Sequence, residues 1–332
     1  MSAIRPVVRA LTVVLLLLIT FDFWFGAAFP HFPRLRYNFS SAYLTREVTS
    51  MQHHDVVTVF GDSVLWGFGV PESRAAITLI RAKRSAWHNL AFAGGSPANT
   101  LAVLQFLLST KVRPSFIVFN VNQKIFNAED SAYRRLHPSV EQLALARLPA
   151  GVRSAMQPTM DRTVEADLDR MLSRYWRFYG MRSDVRDVLF GDVDAAHMVA
   201  KVVHDLSGAS RTLEASHHAT ADKFEGTYDL STLTNGNVQY AALSDLAALI
   251  EREHLPTIAI LTPTNHRLLH DYIDVAPYQK NLRLVRSVLR SHNVRVIDLD
   301  AAFPPEDFLD NDHLTIEGNR KLAAILDHAV GR

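Results

Sequence analysis

Short apolar runs alternate with longer segments of helical periodicity along most of this chain. The apolar runs have the length of strands and end at glycine or polar residues: Val56–Phe60, Trp87–Phe92, Phe116–Asn122, Thr257–Thr262 and Val294–Leu299. Helical patterns lie at about 97–111, 237–253, 276–291 and 315–329. Strands and helices that alternate in this way form a parallel sheet covered on both faces. The pattern therefore predicts an α/β fold.

The N-terminus carries a run of about 20 mainly apolar residues, Ala10–Phe29, preceded by Arg5 and Arg9. A helix of that length crosses a bilayer. Asp22 costs roughly 3 kcal/mol near the bilayer centre, but about a dozen apolar residues at roughly −0.3 to −0.6 kcal/mol each outweigh it. We predict a transmembrane signal anchor in the cell membrane, with the following domain on the extracytoplasmic (periplasmic) side.

Two other interpretations of this segment stay open. A cleavable signal peptide would have its apolar core over Leu11–Phe21 and a cut near Gly26 or Ala28, and it would also export the domain. A buried core helix is the third interpretation. It is disfavoured because nothing polar interrupts the segment before Asp22.

The periodicity changes between about residues 128 and 235. Helices are predicted there over Ser139–Leu148, Thr163–Tyr179 and Val193–Leu206, without a convincing strand. The predicted organisation has a cytoplasmic tip and anchor (1–30), a juxtamembrane linker (31–54) and a main domain (55–332) with a mainly helical insertion at about 128–235. A chain of 332 residues, 48% of them hydrophobic, can bury one such core and still carry an insertion.

Composition and motifs exclude several function classes. Net charge is +1, from 35 basic and 34 acidic residues, so no nucleic-acid partner is indicated. Cysteine is absent, which excludes disulfides and thiol catalysis. Phosphate-binding Gly-x-x-x-x-Gly-Lys and zinc-binding His-Glu-x-x-His motifs are also absent. We assign no cofactor and no metal, since the adjacent pairs His53-His54 and His217-His218 point their side chains apart.

Two short motifs carry the candidate chemistry. Gly61-Asp62-Ser63 follows the first apolar run, and the end of such a strand presents the next side chain at the sheet edge where α/β folds bind ligands. Near the C-terminus, Asp310 and His313 are three residues apart, so on one helical turn they would share a face. The carboxylate would then hold imidazole Nδ1–H while Nε2 points to Ser63. The motifs together predict a nucleophile, its base and the residue that orients the base.

Each motif has a simpler interpretation when it stands alone. Gly-Asp-Ser after a strand is commonly a turn or a helix N-cap, and an Asp-x-x-His pair commonly lies on a solvated helix face. The serine also lacks the Gly-x-Ser-x-Gly elbow of α/β-hydrolases, because residues 61–65 read Gly-Asp-Ser-Val-Leu. It is the combination of the two motifs, at opposite ends of an α/β pattern, that favours catalysis.

Four sequence blocks together resemble the SGNH (GDSL-type) hydrolase superfamily. Val59–Val70 resembles the nucleophile block, and Asn89–Ser96 resembles the second block. Phe119–Gln123 is similar to the third block, usually Gly-x-Asn-Asp, but has Asn120 and Gln123 where glycine and aspartate are usual. The fourth block is Phe308–Leu314.

This resemblance implies a fold and a set of roles. The fold would be a three-layer α/β/α sandwich with a central parallel sheet, SGNH or flavodoxin-like. Ser63, Asp310 and His313 would form the catalytic triad. The backbone N–H groups of Ser63 and Gly94 and the side-chain amide of Asn122 would form the oxyanion hole. Ser96-Pro97 would begin a helix beside that hole.

The predicted function is an exported, membrane-anchored serine ester hydrolase. Its substrate would be a small-molecule or carbohydrate acyl ester, most plausibly O-acyl groups of envelope carbohydrate. An O-acyltransferase acting on envelope polysaccharide through the same triad is the first alternative, because hydrolysis and transfer differ only in the acyl acceptor. A non-catalytic assembly protein that keeps the fold is the second, suggested by the altered third block and the long insertion.

Overall fold

The structure is a computed structural model. It describes residues 4–28, 44, 47–48, 50–51, 56–84, 86–127, 135–137, 140–141, 144, 147–156, 164, 168, 171–172, 176–180, 221–224, 226–228 and 230–331, with side chains in the first range limited to 12–25. Most of the predicted linker (31–54) and the predicted helix Val193–Leu206 lie outside these residues.

A five-stranded, all-parallel sheet forms the centre, which confirms the predicted fold class. Its strands lie in the order β2-β1-β3-β4-β5, with bounds β1 (Val57–Phe60), β2 (Trp87–Asn89), β3 (Phe116–Val121), β4 (Thr257–Leu261) and β5 (Arg295–Asp298). Each strand lies within a predicted apolar run. The strand order reverses between β1 and β3, and ligands of open α/β sheets bind at the carboxyl ends of the strands at such a point.

Four helices, Pro97–Ser109, Val238–Arg252, Ala276–Ser291 and Ile316–Val330, occupy predicted segments, whereas Ser63–Trp66, Ala76–Arg81, Ala150–Met156 and His266–Ile273 were not predicted as helices. The bounds of the helices are α1 (Ile4–Ala28), α2 (Ser63–Trp66), α3 (Ala76–Arg81), α4 (Pro97–Ser109), α5 (Ala150–Met156), α6 (Arg177–Gly180), α7 (Val238–Arg252), α8 (His266–Ile273), α9 (Ala276–Ser291) and α10 (Ile316–Val330). Short 3₁₀ helices lie at Glu72–Arg74, Gln123–Phe126, Ala221–Phe224 and Pro305–Asp307. The predicted N-cap is confirmed, since the Ser96 side chain accepts a hydrogen bond from Asn99 N and Pro97 follows it.

The connections between the strands explain the three layers. The connection from β1 to β2, which contains α3, runs in the direction opposite to those from β2 to β3, β3 to β4 and β4 to β5. Because such crossovers are right-handed, α3 covers one face of the sheet while α4, α7 and α9 cover the other. The packing agrees: α4 contacts α7, α7 contacts α9, and α3 contacts α10.

The chain divides into two compact units. One contains residues 47–159 and 213–332, and therefore the sheet; the other contains residues 1–46 and 160–212. The predicted insertion is thus shared between the units, and the predicted boundaries at 30, 54, 128 and 235 stay predictions. No strand is present among the described residues of that insertion.

In the unit that contains α1, this helix packs on α6. The Asp22 carboxylate accepts a hydrogen bond from Phe178 N at 2.8 Å. The Phe178 ring makes edge-on contacts with Phe21 and Phe25, at centroid distances of 5.2 and 5.1 Å. The predicted membrane span, Ala10–Phe29, falls on α1, but in the part of the chain that the structure describes no helix has the length and apolarity needed to cross a bilayer.

Candidate active site

The turn after β1 presents Ser63 at the carboxyl edge of the sheet. Gly61 has a φ of 139°, a backbone conformation that residues other than glycine rarely adopt. Asp62 is the N-cap of α2, and its Oδ1 accepts from Val64 N at 2.9 Å. The capping interpretation is therefore correct for Asp62. Ser63 begins the short helix, with 7% of its surface exposed.

The segment Asp310–His313 is a loop and not the helical turn that spacing predicted. An antiparallel bridge between Phe308 and Leu314 closes the loop. Inside it, Asp310 Oδ1 accepts from the backbone N–H groups of Asp312 and His313 at 3.1 and 2.9 Å. These Asx-type bonds replace the helical bonds, since aspartate competes well for nearby backbone donors. The two side chains nevertheless meet, because the tight loop brings His313 Nδ1 to 2.7 Å from Asp310 Oδ2.

A continuous line of hydrogen bonds joins the two motifs. His313 Nδ1 lies 2.7 Å from Asp310 Oδ2, and His313 Nε2 lies 2.8 Å from Ser63 Oγ. The Phe68 ring, from the turn after α2, lies against the imidazole with centroids 4.4 Å apart. This is the arrangement in which a carboxylate orients an imidazole base toward a seryl nucleophile. The structure brings the three predicted triad residues together.

Residues that follow β4 support the triad loop from the other side. Asn265 N donates to Asn311 O at 2.8 Å, and Asn265 Nδ2 donates to Asp310 O at 3.1 Å. Thr264 N donates to Asp300 O at 2.9 Å, which ties this segment to the chain after β5. The loop with Asp310 and His313 is therefore fixed by backbone and side-chain hydrogen bonds from Asn265 to its carbonyl groups.

The second-block turn lies directly beside the turn with the nucleophile. Phe92 N donates to Gly61 O at 3.1 Å, and a Cβ on Gly95 would lie 2.0 Å from the same oxygen. Gly94 has a φ of 75°, and no atom lies within 4 Å of the position its Cβ would take. Among the described residues, the backbone N–H groups of Ser63 and Gly94 have no acceptor. Both groups can therefore donate to a ligand, and the predicted oxyanion-hole role stays a prediction.

The side chain of Asn122 does not have the free donor that an oxyanion hole requires. It is 2% exposed, and its Nδ2 donates to Asp62 Oδ2 at 3.0 Å and to Asp312 Oδ2 at 2.5 Å. Its Oδ1 accepts from Lys124 N at 3.3 Å and so caps the 3₁₀ helix Gln123–Phe126. A side-chain amide has two N–H donors, and here one donates to each of the two carboxylates. This geometry does not support the predicted role of Asn122 as an oxyanion donor.

Sequence reasoning missed the role of Asn120, which stands where the SGNH pattern that the sequence resembles has glycine. Asn120 Oδ1 accepts from Asp62 N at 3.0 Å, and its Nδ2 donates to Asp62 Oδ1 and Thr262 Oγ1, both at 2.8 Å. A Cβ on Gly61 would lie 1.8 Å from Asn120 Oδ1. Asn120 therefore fills the space above Gly61 and fixes the nucleophile turn. The departure from the family pattern was its only signal.

Two buried carboxylates and one lysine lie under the triad. Asp62 and Asp312 are 4% and 0% exposed, and Lys124 Nζ forms an ion pair with Asp312 Oδ2. Asp312 Oδ1 also lies 3.5 Å from His313 Nδ1, so the imidazole faces a second carboxylate beyond Asp310. No sequence signal distinguished Lys124 or Asp312 from ordinary polar residues.

These surroundings set the proton affinities of the triad. Burial lowers the pKa of His313, but the charge of Asp312 and the hydrogen bond to Asp310 outweigh it, so the pKa lies above 6.5. Burial raises the pKa of Asp310, yet its hydrogen bonds from His313 and backbone amides are stronger, so the pKa lies below its ordinary value. The pair therefore favours an imidazolium beside a carboxylate, which is the state that forms when His313 accepts the serine proton.

One cluster of the described residues has the spacing of metal ligands. Ligand atoms of Asp310, Asp312 and His313 all lie within 4.8 Å of one another. Each is already engaged: Asp310 and Ser63 hold the imidazole nitrogens, and Lys124 supplies a positive charge to Asp312. We assign the cluster to the triad, whose chemistry does not require a metal.

Comparison with known proteins gave structural likeness only. No family model and no curated protein matches the chain. It is similar to the crystal structure of an acetyl xylan esterase, at 15% identity over 83% of this chain and 100% of that one, with a TM-score of 0.36. A Desulfitobacterium hafniense DCB-2 protein assigned to the G-D-S-L lipolytic family gives 8% identity over 83% and 99%, with a TM-score of 0.38.

A third solved structure, a protein of Bacteroides fragilis NCTC 9343 assigned as an acylhydrolase, gives 11% identity. That match covers 87% of this chain and 94% of the other, with a TM-score of 0.40. All three likenesses are distant. The chemistry of the site must therefore be argued from its own atoms.

Proposed function

We propose that this protein is a serine ester hydrolase of the SGNH type. The observation that carries the proposal is the unbroken line of hydrogen bonds from Asp310 through His313 to Ser63, at 2.7 and 2.8 Å. Two segments of the chain that are 250 residues apart meet to make it, and a cap or a solvated charge pair would require no such alignment. The esterase and lipolytic names of the structural neighbours agree with this chemistry.

The mechanism follows from the positions of these atoms. His313 Nε2 accepts the Ser63 proton while Ser63 Oγ attacks the acyl carbonyl carbon, and Asp310 stabilises the resulting imidazolium. The N–H groups of Ser63 and Gly94 bind the tetrahedral oxyanion. Collapse breaks the ester C–O bond, and the imidazolium gives its proton to the leaving alcohol. Water then attacks the acyl-enzyme with His313 as the base, which releases the carboxylic acid and restores Ser63.

Hydrolysis of short-chain aryl esters tests this proposal. The wild-type protein should release the phenol with turnover, and Ser63→Ala should not. Ser291→Ala is the matched control, because Ser291 is an exposed serine whose hydroxyl only donates to Val288 O. Aryl ester turnover that survives in Ser63→Ala would remove Ser63 as the nucleophile.

The proposed natural substrate is an O-acyl group on envelope carbohydrate. The same acyl-enzyme would transfer its acyl group to a sugar hydroxyl if such an acceptor outcompeted water, so the acceptor decides between esterase and acyltransferase. Incubating the protein with an activated acyl ester and a panel of envelope oligosaccharides separates the two. We expect free acid as the main product. Acylated sugar, detected by mass spectrometry at the expense of free acid, would make the protein a transferase.

We further propose that the protein works at the cell membrane with its catalytic domain outside the cytoplasm. The apolar surface of α1 supports the membrane location, because large side chains there are widely exposed: Val13, Leu15, Leu17, Phe23 and Trp24 are 55–65% exposed. Contiguous apolar surface of this kind requires a cover in water. The protein should fractionate with membranes, and protease added to intact spheroplasts should cleave it. Complete protection until lysis would reverse the proposed topology.

A further inference from the structure

Asp312 is a charged group that the proposed mechanism leaves without a task. Its side chain is 0% exposed, and a carboxylate removed from water in this way is unfavourable unless it is paired and hydrogen-bonded. Asp312 Oδ2 accepts from Asn122 Nδ2 at 2.5 Å and pairs with Lys124 Nζ. The Lys124 side chain is only 14% exposed, so the ion pair as a whole is shielded from solvent.

The ion pair links the loop that carries the base to the end of β3. Asp312 adjoins His313 within the loop closed by Phe308 and Leu314. Lys124 belongs to the 3₁₀ helix Gln123–Phe126, whose N-cap is Asn122. Both groups that hold Asp312 Oδ2 therefore come from one short segment after β3. This segment fixes the position of His313 in the fold from the side opposite to Ser63.

The pair also determines the charge that the imidazole meets. Asp312 Oδ1 lies 3.5 Å from His313 Nδ1, too far for a hydrogen bond but near enough for strong electrostatic attraction once the imidazolium forms. Lys124 offsets that attraction, because its positive charge lowers the pKa of His313 while Asp312 raises it. Two carboxylates face the ring. Asp310 orients it by a hydrogen bond, and Asp312 adds a negative charge that the positive charge of Lys124 partly offsets.

The other groups around the imidazole do not compete with this effect. Ser63 Oγ faces Nε2, and the Phe68 ring covers one side without a charge. Tyr228 lies near Asp312, and burial together with the charge of Asp312 raises its pKa well above its ordinary value. Tyr228 is therefore neutral over the pH range in which the base titrates.

We propose that Lys124 and Asp312 form a positioning pair that holds the loop with Asp310 and His313 against β3 and sets the net charge facing His313. This inference rests on the proposed function, since it assigns a task within the same site. It predicts effects of opposite sign for the two halves of the pair. Removing Asp312 should weaken the base, and removing Lys124 should strengthen it.

The test is the pH dependence of kcat/KM for an aryl ester, because activity requires the neutral imidazole and the acid limb reports its pKa. Asp312→Asn should move the midpoint of that limb to lower pH by about one unit or more. Lys124→Met should move the midpoint to higher pH, so that on acidification this variant loses activity at a higher pH than the wild-type protein. Lys124→Arg retains the charge and should restore the wild-type midpoint. A merely structural role would reduce activity at every pH without moving the midpoint.

A second ion pair in the same domain provides the matched control. Lys321 Nζ lies 2.6 Å from Oδ2 of buried Asp307, and neither residue contacts the imidazole. Lys321→Met should therefore leave the midpoint unchanged. If a single variant at the Lys124–Asp312 pair unfolds, Lys124→Met/Asp312→Asn removes both charges together and should fold with a midpoint between those of the singles. Unmoved midpoints in Asp312→Asn and Lys124→Met, or in whichever of the two folds, would overturn the proposal.

NMR titration of the His313 ring in the full-length protein separates this proposal from the proposed function. His313→Gln identifies the resonance, and the ring titrates whether or not any ester is turned over. If the wild-type protein hydrolyses no ester, the proposed function falls, while shifts of opposite sign in Asp312→Asn and Lys124→Met would still support the positioning pair. Identical titration midpoints in all three proteins would overturn it even if the enzyme is fully active.

Discussion

The turns after β1 and β3 lie next to each other at one edge of the sheet, but they use their polar side chains differently. In the turn after β1, Asp62 caps α2 by accepting from Val64 N, two residues away, while Asn120 holds the turn in place from β3. Within the end of β3, Asn120 reaches Asp62 and Thr262, 58 and 142 residues away, and in the turn that follows, Asn122 reaches Asp312, 190 residues away. The first turn positions the Ser63 hydroxyl, and the second holds distant segments in place by hydrogen bonds.

This difference explains why motif reasoning anticipated the cap at one turn but not the distant contacts of the other. A motif that folds by local rules shows its role in its own sequence, as Gly61–Ser63 does. An asparagine that links three segments has no such local signature, because its partners are set by the tertiary fold. The resemblance therefore suggested an oxyanion donor at Asn122, whereas the structure places its amide between two carboxylates.

The largest expected effect is at the turn after β1 and its partner base. Ser63→Ala and His313→Ala should each reduce kcat by roughly 10⁴-fold to 10⁶-fold, as for triad residues of other serine hydrolases. Because the two act as one unit, the double variant should be hardly worse than either single variant. Measured kcat values that multiply in the double variant would show that the two residues act separately.

The contact between the two turns can be tested by a double-mutant cycle. Gly61→Ala should cost about 1–3 kcal/mol in backbone strain alone, and its Cβ would also overlap Asn120 Oδ1, which it would approach to 1.8 Å. Asn120→Gly removes that overlap but also the bonds to Asp62. Unfolding in urea should therefore show a coupling energy of about 0.5–3 kcal/mol between the two changes. Strictly additive free energies would mean that the two turns do not contact each other in solution.

Asn122→Ala distinguishes a linking role from an oxyanion role. The structure predicts a loss of about 1–3 kcal/mol in the free energy of unfolding, since two buried carboxylate oxygens lose a donor. Asn281→Ala is the control, because Asn281 is equally buried and bonds to Leu233 N and Ser231 O, away from the triad. Both variants should lose similar stability. A fall in kcat of about 10²-fold to 10³-fold confined to Asn122→Ala would show that Asn122 acts as an oxyanion donor.

The smallest expected effect is in the pH profile of the wild-type protein. The base must be neutral to accept the serine proton, and the pKa of His313 lies above 6.5 because Asp312 and Asp310 outweigh its burial. Activity should therefore rise with pH through a midpoint above 6.5 and be lost as the pH falls below it. Measurement of kcat/KM from pH 5 to 9, at constant ionic strength, gives this midpoint. A value at or below 6.5 would mean that burial dominates the site.

Most of the fold was predictable because its strands are apolar runs with clear ends. The largest difference is at β2, predicted over Trp87–Phe92 but observed over Trp87–Asn89. Asn89 Oδ1 accepts from Ala91 N in a local turn at the strand end, although Leu90 N and Phe92 N still donate to Val59 O and Gly61 O. The Asp310–His313 pairing was also predictable, but the loop that forms it depends on the bridge between Phe308 and Leu314 and not on the spacing alone.

What sequence could not supply is the orientation of side chains with distant partners. Lys124 and Asp312 meet only because the fold brings the end of β3 to the C-terminal loop. Gln123, where the family pattern has aspartate, is 3% exposed, and its amide has no partner within the described part of the chain. These positions are set by packing among four strand ends, which no local periodicity encodes.

Labelling with a fluorophosphonate, followed by intact-protein and peptide mass spectrometry, tests the central claim most directly. The reagent modifies only serines activated by a base, and it requires no knowledge of the substrate. One adduct should form on the wild-type protein, on the peptide that contains Ser63, and none should form on Ser63→Ala or His313→Ala. An unlabelled wild-type protein, or an adduct that persists in His313→Ala at the wild-type rate, would contradict the proposed triad.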